Sequence, residues 1–164
     1  MDDQKSKIDH AKWLLERTLG WIATADVKVG VAMALDTAML GGLAAAYTGS
    51  SPQARTAWCY LALCAAVAAM VVAIFCAGMA AIPRMLGPVH SMIFFARVAE
   101  RSEADYVAQF SKLDSANFLA DLAAQIHRNS QIATSKHWWV RKSLIWLFLG
   151  SIPWLISVAL LVRG

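Results

Sequence analysis

Charge, cysteine and proline are all scarce in this chain. Only 16% of its 164 residues are Asp, Glu, Lys or Arg, and it has 3 cysteines and 4 prolines. A chain of this length could form one ordinary soluble domain, and so little charge argues against that. Cys59, Cys64 and Cys76 form no C-x-x-C pair, which argues against a redox motif or a thiolate zinc site. All three are expected to be reduced, buried thiols packing as small hydrophobes. The histidines at 10, 90, 127 and 137 lack metal-ligand spacing, so no metal is expected. There is no G-x-S-x-G, no glycine-rich phosphate loop and no cluster of paired carboxylates. The chain is therefore not expected to be an enzyme or to need a cofactor. The first 20 residues carry charges of both signs and no apolar core, unlike a cleavable signal peptide. The first membrane helix is expected to serve as its own insertion signal.

What the chain has in excess is apolar surface. Hydrophobic residues make up 59% of it, and the mean hydropathy is +0.50. Three separate apolar runs account for this, which points to an all-α integral membrane protein with three transmembrane helices and a cytoplasmic helical segment. In the first run, 19 residues from Val29 to Tyr47 lie between Lys28 and the polar turn at Thr48. At the α-helical rise they span ~28 Å, close to the ~30 Å hydrocarbon core of a bilayer. Gly30, Ala34, Ala38, Gly42 and Ala46 recur at every fourth position. Small residues so spaced let a second helix approach closely in lipid. Asp36 lies ~200° around the helix from Ala34 and is expected to point away from this ladder. The second run, from about Trp58 to Ile82, has its own ladder of Ala65, Ala69, Ala73, Ala77 and Ala81. Two ladders on consecutive antiparallel helices predict a tight hairpin.

The chain divides into four stretches. Residues 1–24 form a cytoplasmic amphipathic helix with Ile8, Leu15, Leu19 and Ile22 at helical spacing. It either lies near the inner membrane surface, as Trp13 and Trp21 suggest, or packs on the cytosolic part of the protein. Residues 25–84 form the transmembrane hairpin, turning at Gly49–Thr56. Residues 85–142 form a cytoplasmic helical segment. Within it, Met92–Phe95 is too short to span and lies either in the interface or under the soluble helices. Ser102 and Asp105 have capping-box spacing, and Asp114 or Ser115 caps a longer helix. Residues 143–162 form the third transmembrane helix, with Pro153 as a potential kink.

Orientation follows from the basic residues. Residues 1–28 hold 5 Lys and Arg and residues 83–142 hold 8, leaving only Arg55 and Arg163 elsewhere. That asymmetry places the N terminus and the 83–142 segment in the cytoplasm and the C terminus in the periplasm, across a bacterial inner membrane. The same count explains the pI of 9.2 without invoking DNA or RNA. The exported turn of 8 residues is too small for a receptor site, so any input comes from the cytosol or the bilayer.

Three residues of the first span stand out. An acid at mid-bilayer costs at least ~2.5 kcal/mol on insertion scales, so Asp36 is expected at a water-filled or oligomeric interface, protonated when closed. The alternative is a hydrogen-bonded place in a static bundle, with Ser157 as one partner. Asp26 and Lys28 are either an ordinary boundary pair or contacts for Gln125, Asn129 or Lys136 of the soluble helix.

Several short sequences occur in a telling order. Ala25-Asp-Val-Lys28 leads a span, a second span ends at Pro83, and Ile93-Phe-Phe95 follows. Gln125-Ile126, Asn129-Ser130 and Lys136 then precede a last span. In this the chain resembles the Pycsar transmembrane effector family over nearly its whole length. The resemblance implies an antiphage effector. A partner pyrimidine cyclase makes cCMP or cUMP on infection, and the effector disrupts the inner membrane so that the cell dies before phage mature. It also implies a homo-oligomer in the lipid bilayer. The chain carries no glycine-rich phosphate cassette of a nucleotide-binding β-roll. A cyclic nucleotide needs a cation for its phosphate and a stacking or apolar wall for its base. Arg97, Arg101, Arg128 and Lys136 with Tyr106 and Phe110 are the cytosolic groups expected to supply them. The alternatives are a small proton-coupled transporter using Asp36, and a passive membrane scaffold.

Overall fold

The computed structural model describes residues 2–163. Among them there is no strand. Five α-helices follow one another: α1 (Asp2–Gly49), α2 (Ala57–Ala81), α3 (Phe95–Ala99), α4 (Glu103–Phe110) and α5 (Ser115–Arg163). A 3₁₀ turn, Pro52–Ala54, sits in the first connection. Three of the helices, α1, α2 and α5, are long and apolar enough to cross a membrane.

The helix ends have local causes. α1 stops at Gly49 because Ser50 and Pro52 cannot prolong it cheaply. Arg55 closes this end, its guanidinium donating to Tyr47 O in the last turn at 3.1 Å and to Ser50 O just beyond it at 3.1 Å. α2 opens on Thr56, whose hydroxyl accepts the Cys59 N–H at 3.3 Å, and ends before Pro83. Ser102 caps α4, its Oγ accepting the Asp105 N–H at 3.2 Å and donating to the Asp105 carboxylate at 2.6 Å. At α5 it is Asp114 that caps, accepting the Asn117 N–H at 2.7 Å. Pro153 lies inside α5, which continues past it to Arg163.

The chain forms two compact units. One holds the residues up to Thr24 with Pro83–Ser135; the other holds Ala25–Ile82 with the residues from Lys136 on. In the first unit Ala11 and Thr18 are buried, and the Lys12 ammonium lies 5.9 Å from the Phe118 ring centre. The start of α1 thus packs on its own protein, with Trp13 and Trp21 turned outward against Arg17. The Met92–Phe95 stretch packs in the same unit, Met92 being buried. Gly87 permits this, because a side chain there would collide with the Phe94 ring.

The second unit is knit by seven-residue repeats. Its buried positions are Ala25, Val29, Ala32, Asp36 and Leu43 on α1 and Cys59, Ala66, Ala69, Met70, Ala73, Cys76, Ala77 and Ala80 on α2. On α5 they are Lys136, Val140, Ser143, Leu147, Gly150, Ser157 and Leu161. Spacings of seven, split as three and four, keep one seam facing its neighbours, because a straight helix drifts only ~20° per heptad. Two clusters mark the seam: Ala25, Val29, Ala77, Ala80 and Val140, and Leu43, Cys59, Ala66 and Leu161. Outside it, Trp58, Phe75, Phe148 and Val162 are each more than 60% exposed, a surface suited to lipid rather than water. Cys59 and Cys76 are buried as expected, but Cys64 is exposed. Five residues beyond Cys59, it falls on the other side of α2.

Candidate functional site

The two small-residue ladders do not meet as a hairpin seam. Gly30, Ala34, Ala38 and Gly42 are exposed and only Ala46 is half-buried. The packing face of α1 is instead the one that carries Asp36. On α2, Ala69, Ala73 and Ala77 are buried, whereas Ala65 and Ala81 at the ladder's ends are exposed. The reason is geometric. A four-residue step advances ~40° beyond a full turn, so a five-member ladder winds ~160° around its helix. It cannot stay against one straight partner, while a seven-residue row can. The close approach that α2 makes is to α5, where a Cβ on Gly150 would lie 3.0 Å from Ala69 Cβ.

That same seven-residue register builds a polar row that four-residue spacing concealed. Lys136, Ser143, Gly150 and Ser157 recur at heptad steps on α5, and all four are buried. Asp36 is fully buried in the same unit at 0% exposure. It is therefore screened from lipid and from any second copy of the chain, not presented at an outer interface. Neither of its carboxylate oxygens has a hydrogen-bond partner, and neither does the Ser143 hydroxyl. Ser157, a candidate partner for Asp36, donates to Pro153 O at 2.8 Å instead. The remaining buried polar side chains, Thr18, Ser91, Gln125 and Lys136, are all hydrogen-bonded.

Asp26 meets one of its three expected partners, accepting from the Lys136 ammonium. Lys136 is 8% exposed and Asp26 48%, so the pair anchors the end of the polar row within the membrane unit. Gln125 is committed elsewhere. Its amide donates to Ser91 Oγ at 2.9 Å, and that oxygen also accepts the Phe94 N–H at 2.9 Å. Lys28 is exposed and lines a groove with His137 and Arg141.

The expected signal residues are not gathered into one site. Arg97 pairs with Glu100 at 2.8 Å. Arg128 donates to Leu86 O at 2.7 Å and to Gln131 at 3.0 Å. Lys136 belongs to the other unit and is held by Asp26. Arg101 and Tyr106 do converge, the guanidinium on Met92 Sδ and the phenol on Met92 O at 3.0 Å. Tyr106 and Phe110 stack with centres 5.7 Å apart. Sequence reasoning missed a cleft of about 290 Å³ in this unit, lined by Leu15, Leu19, Ile93, Phe94, Phe95, Gln125 and Asn129. Apolar and aromatic walls with two amides suit a flat, amide-bearing ring. The Ser91–Gln125 clasp that shapes it joins residues 34 apart in sequence, beyond the reach of any local pattern.

Helices long enough to span, apolar faces turned outward and unpartnered polar groups sealed inside define a small polytopic membrane protein. The model of the PycTM family, Pycsar effector protein domain, matches residues 10–163, and the chain belongs to that family. It is thus a membrane effector of antiphage defence. Nothing among the curated proteins or the solved structures matches it.

Proposed function

We propose that this effector answers a cyclic pyrimidine nucleotide, cCMP or cUMP from a partner cyclase, by opening the bacterial inner membrane and ending the infected cell. The observation that carries the opening step is the pair of buried polar side chains without a partner in the membrane unit, Asp36 on α1 and Ser143 in the polar row of α5. An unsatisfied buried polar group costs about 1–3 kcal/mol. Water entering between separated helices would remove that cost, so the hydrated arrangement gains where the sealed one loses. The nucleotide acts by favouring the hydrated state, which requires that it bind that state better.

The base is placed in the cleft against Phe94 and Phe95, with Gln125 and Asn129 reading its edge. Arg97 follows Phe95 by two residues and Arg128 directly precedes Asn129, so both are near in sequence for the phosphate. The first unit faces the cytoplasm and the C terminus the periplasm, as 13 basic residues against 2 suggest. The exposed Gly30, Ala34 and Ala38 face of α1 offers a second copy a close approach in the homo-oligomer.

The test is dye release from liposomes holding the full chain, with cCMP, cUMP, cAMP or cGMP added. Release with a pyrimidine nucleotide and not with the purine pair supports the proposal. Silence with all four, in liposomes where the protein has inserted, overturns it. Nucleotide-independent proton flux coupled to a solute gradient would support the transporter alternative instead.

A further inference from the structure

In the second unit, α5 and α1 flank a groove of about 560 Å³, lined by Lys28, His137, Arg141 and an apolar row from Val140 to Leu149. We infer that this groove holds an anionic phospholipid, headgroup against Lys28 and Arg141 and acyl chain along Leu144, Ile145 and Phe148. The lining residues of α5 sit at steps of three and four from 137 to 149, so they form one continuous strip along the helix. Its chemistry changes along the axis. The basic groups occupy one end, and the apolar side chains extend ~10 Å beyond Arg141 to Phe148.

The cationic end lies at a level marked by other membrane-boundary features. Trp138 and Trp139 are neighbours there, and the Lys142 ammonium lies 3.7 Å from the Trp138 ring centre. Tryptophan and lysine so placed belong at headgroup depth. No acid lines the groove. Among the described residues, Lys28 and Arg141 have no hydrogen-bond or ion-pair partner, in contrast to Lys136, which Asp26 already neutralises. Two uncompensated cations beside an apolar channel complement a phosphodiester carrying an acyl chain. A free phosphate or nucleotide would leave the apolar row unused, so the lipid is the better fit.

The test uses the full chain in detergent with dioleoyl phosphatidylglycerol or dioleoyl phosphatidylcholine, retained lipid being read by native mass spectrometry. Wild type is expected to keep phosphatidylglycerol in preference. The Lys28→Gln/Arg141→Gln variant should retain it roughly thirtyfold less well, from the usual worth of two basic side chains near an anionic surface. The charge-conserving Lys28→Arg/Arg141→Lys variant should retain it, which separates binding from a folding defect. Equal retention of the two lipids overturns the inference. So does displacement of the lipid by glycerol phosphate at equal concentration, which would mark only an anion site. Disulfide formation between copies carrying Phe148→Cys, in bilayers of phosphatidylglycerol, would show a second chain in the groove and also overturn it. None of these readouts depends on a nucleotide response.

Discussion

In the unit formed by the start of α1 and residues 83–135, Ser91 and Gln125 are 2% and 5% exposed and are bonded to each other. In the unit formed by the spans, Asp36 and Ser143 are 0% and 1% exposed and have no partner. Burial is the same, but its consequence differs. In the first case polar groups fix a loop: Ser91 takes the Phe94 N–H and Asp121 takes the Met92 N–H at 2.7 Å. The two buried atoms left unpartnered in this unit, Arg84 Nη1 and Asp121 Oδ1, belong to side chains that bond through another atom, and such networks specify one arrangement. In the second, the polar groups are a standing penalty that only another arrangement can remove. The first unit is built to hold a shape, and the second is built with a reason to leave one.

The strongest way to break that comparison is to remove the penalty at Asp36. Asp36→Leu deletes the unpartnered carboxyl and should raise the midpoint of thermal unfolding in detergent, while abolishing membrane opening. Asp36→Asn keeps the size and a hydrogen-bonding group and should be intermediate. Depolarisation of cells expressing each variant, with insertion checked in the membrane fraction, reads the second effect. Opening by Asp36→Leu at the wild-type level would mean the acid takes no part.

Next in size is packing within the spans. Ala73→Leu puts a branched side chain into a position with 0% exposure and should cost about 1–3 kcal/mol, as overpacking does. The upper half of that range is expected, since α2 and α5 approach nearly to backbone contact beside it. Ala38→Leu, on the exposed face of α1, should leave the unfolding of the single chain within about 0.5 kcal/mol. Any loss of activity by Ala38→Leu would then report on contact between copies. Equal destabilisation by both variants would contradict the heptad seam.

Much of this architecture could be read from composition. The three long apolar runs are visible because a single charge, Asp36, is all that interrupts them, and the caps at Ser102 and Asp114 because they are local chemistry. The face that packs was misread. A step of four catches the eye as a ladder, yet it winds away from its partner; Asp36 does point away from that ladder, and its side is the one on which α1 packs. Lys136, Ser143, Gly150 and Ser157 were legible in principle, at a constant step of seven. The cleft was not, because Leu15, Phe94 and Gln125 come from three distant stretches brought together by folding.

The smallest expected effect sharpens the comparison most, because one chemical change is made on both sides of it. Ser91→Ala and Ser143→Ala each remove one buried hydroxyl oxygen and little volume. At Ser91 the oxygen serves Gln125 and the amides of Ile93 and Phe94. The loop residues Ile93 and Phe94 are only half-buried, so water can replace part of what is lost. The cost should therefore be near the net value of one hydrogen bond, about 1 kcal/mol, rather than the full penalty of stranded donors. Amide exchange at Ile93 and Phe94 should quicken accordingly. At Ser143 the hydroxyl serves nothing, so its removal takes away a desolvated group without breaking a bond. Stability should be unchanged or should rise by up to about 1 kcal/mol. Opposite signs for the same substitution, measured by thermal unfolding and local amide exchange, are the expected outcome. A clear loss at Ser143 would mean that its hydroxyl does serve the sealed state, and the distinction between the two units would fall.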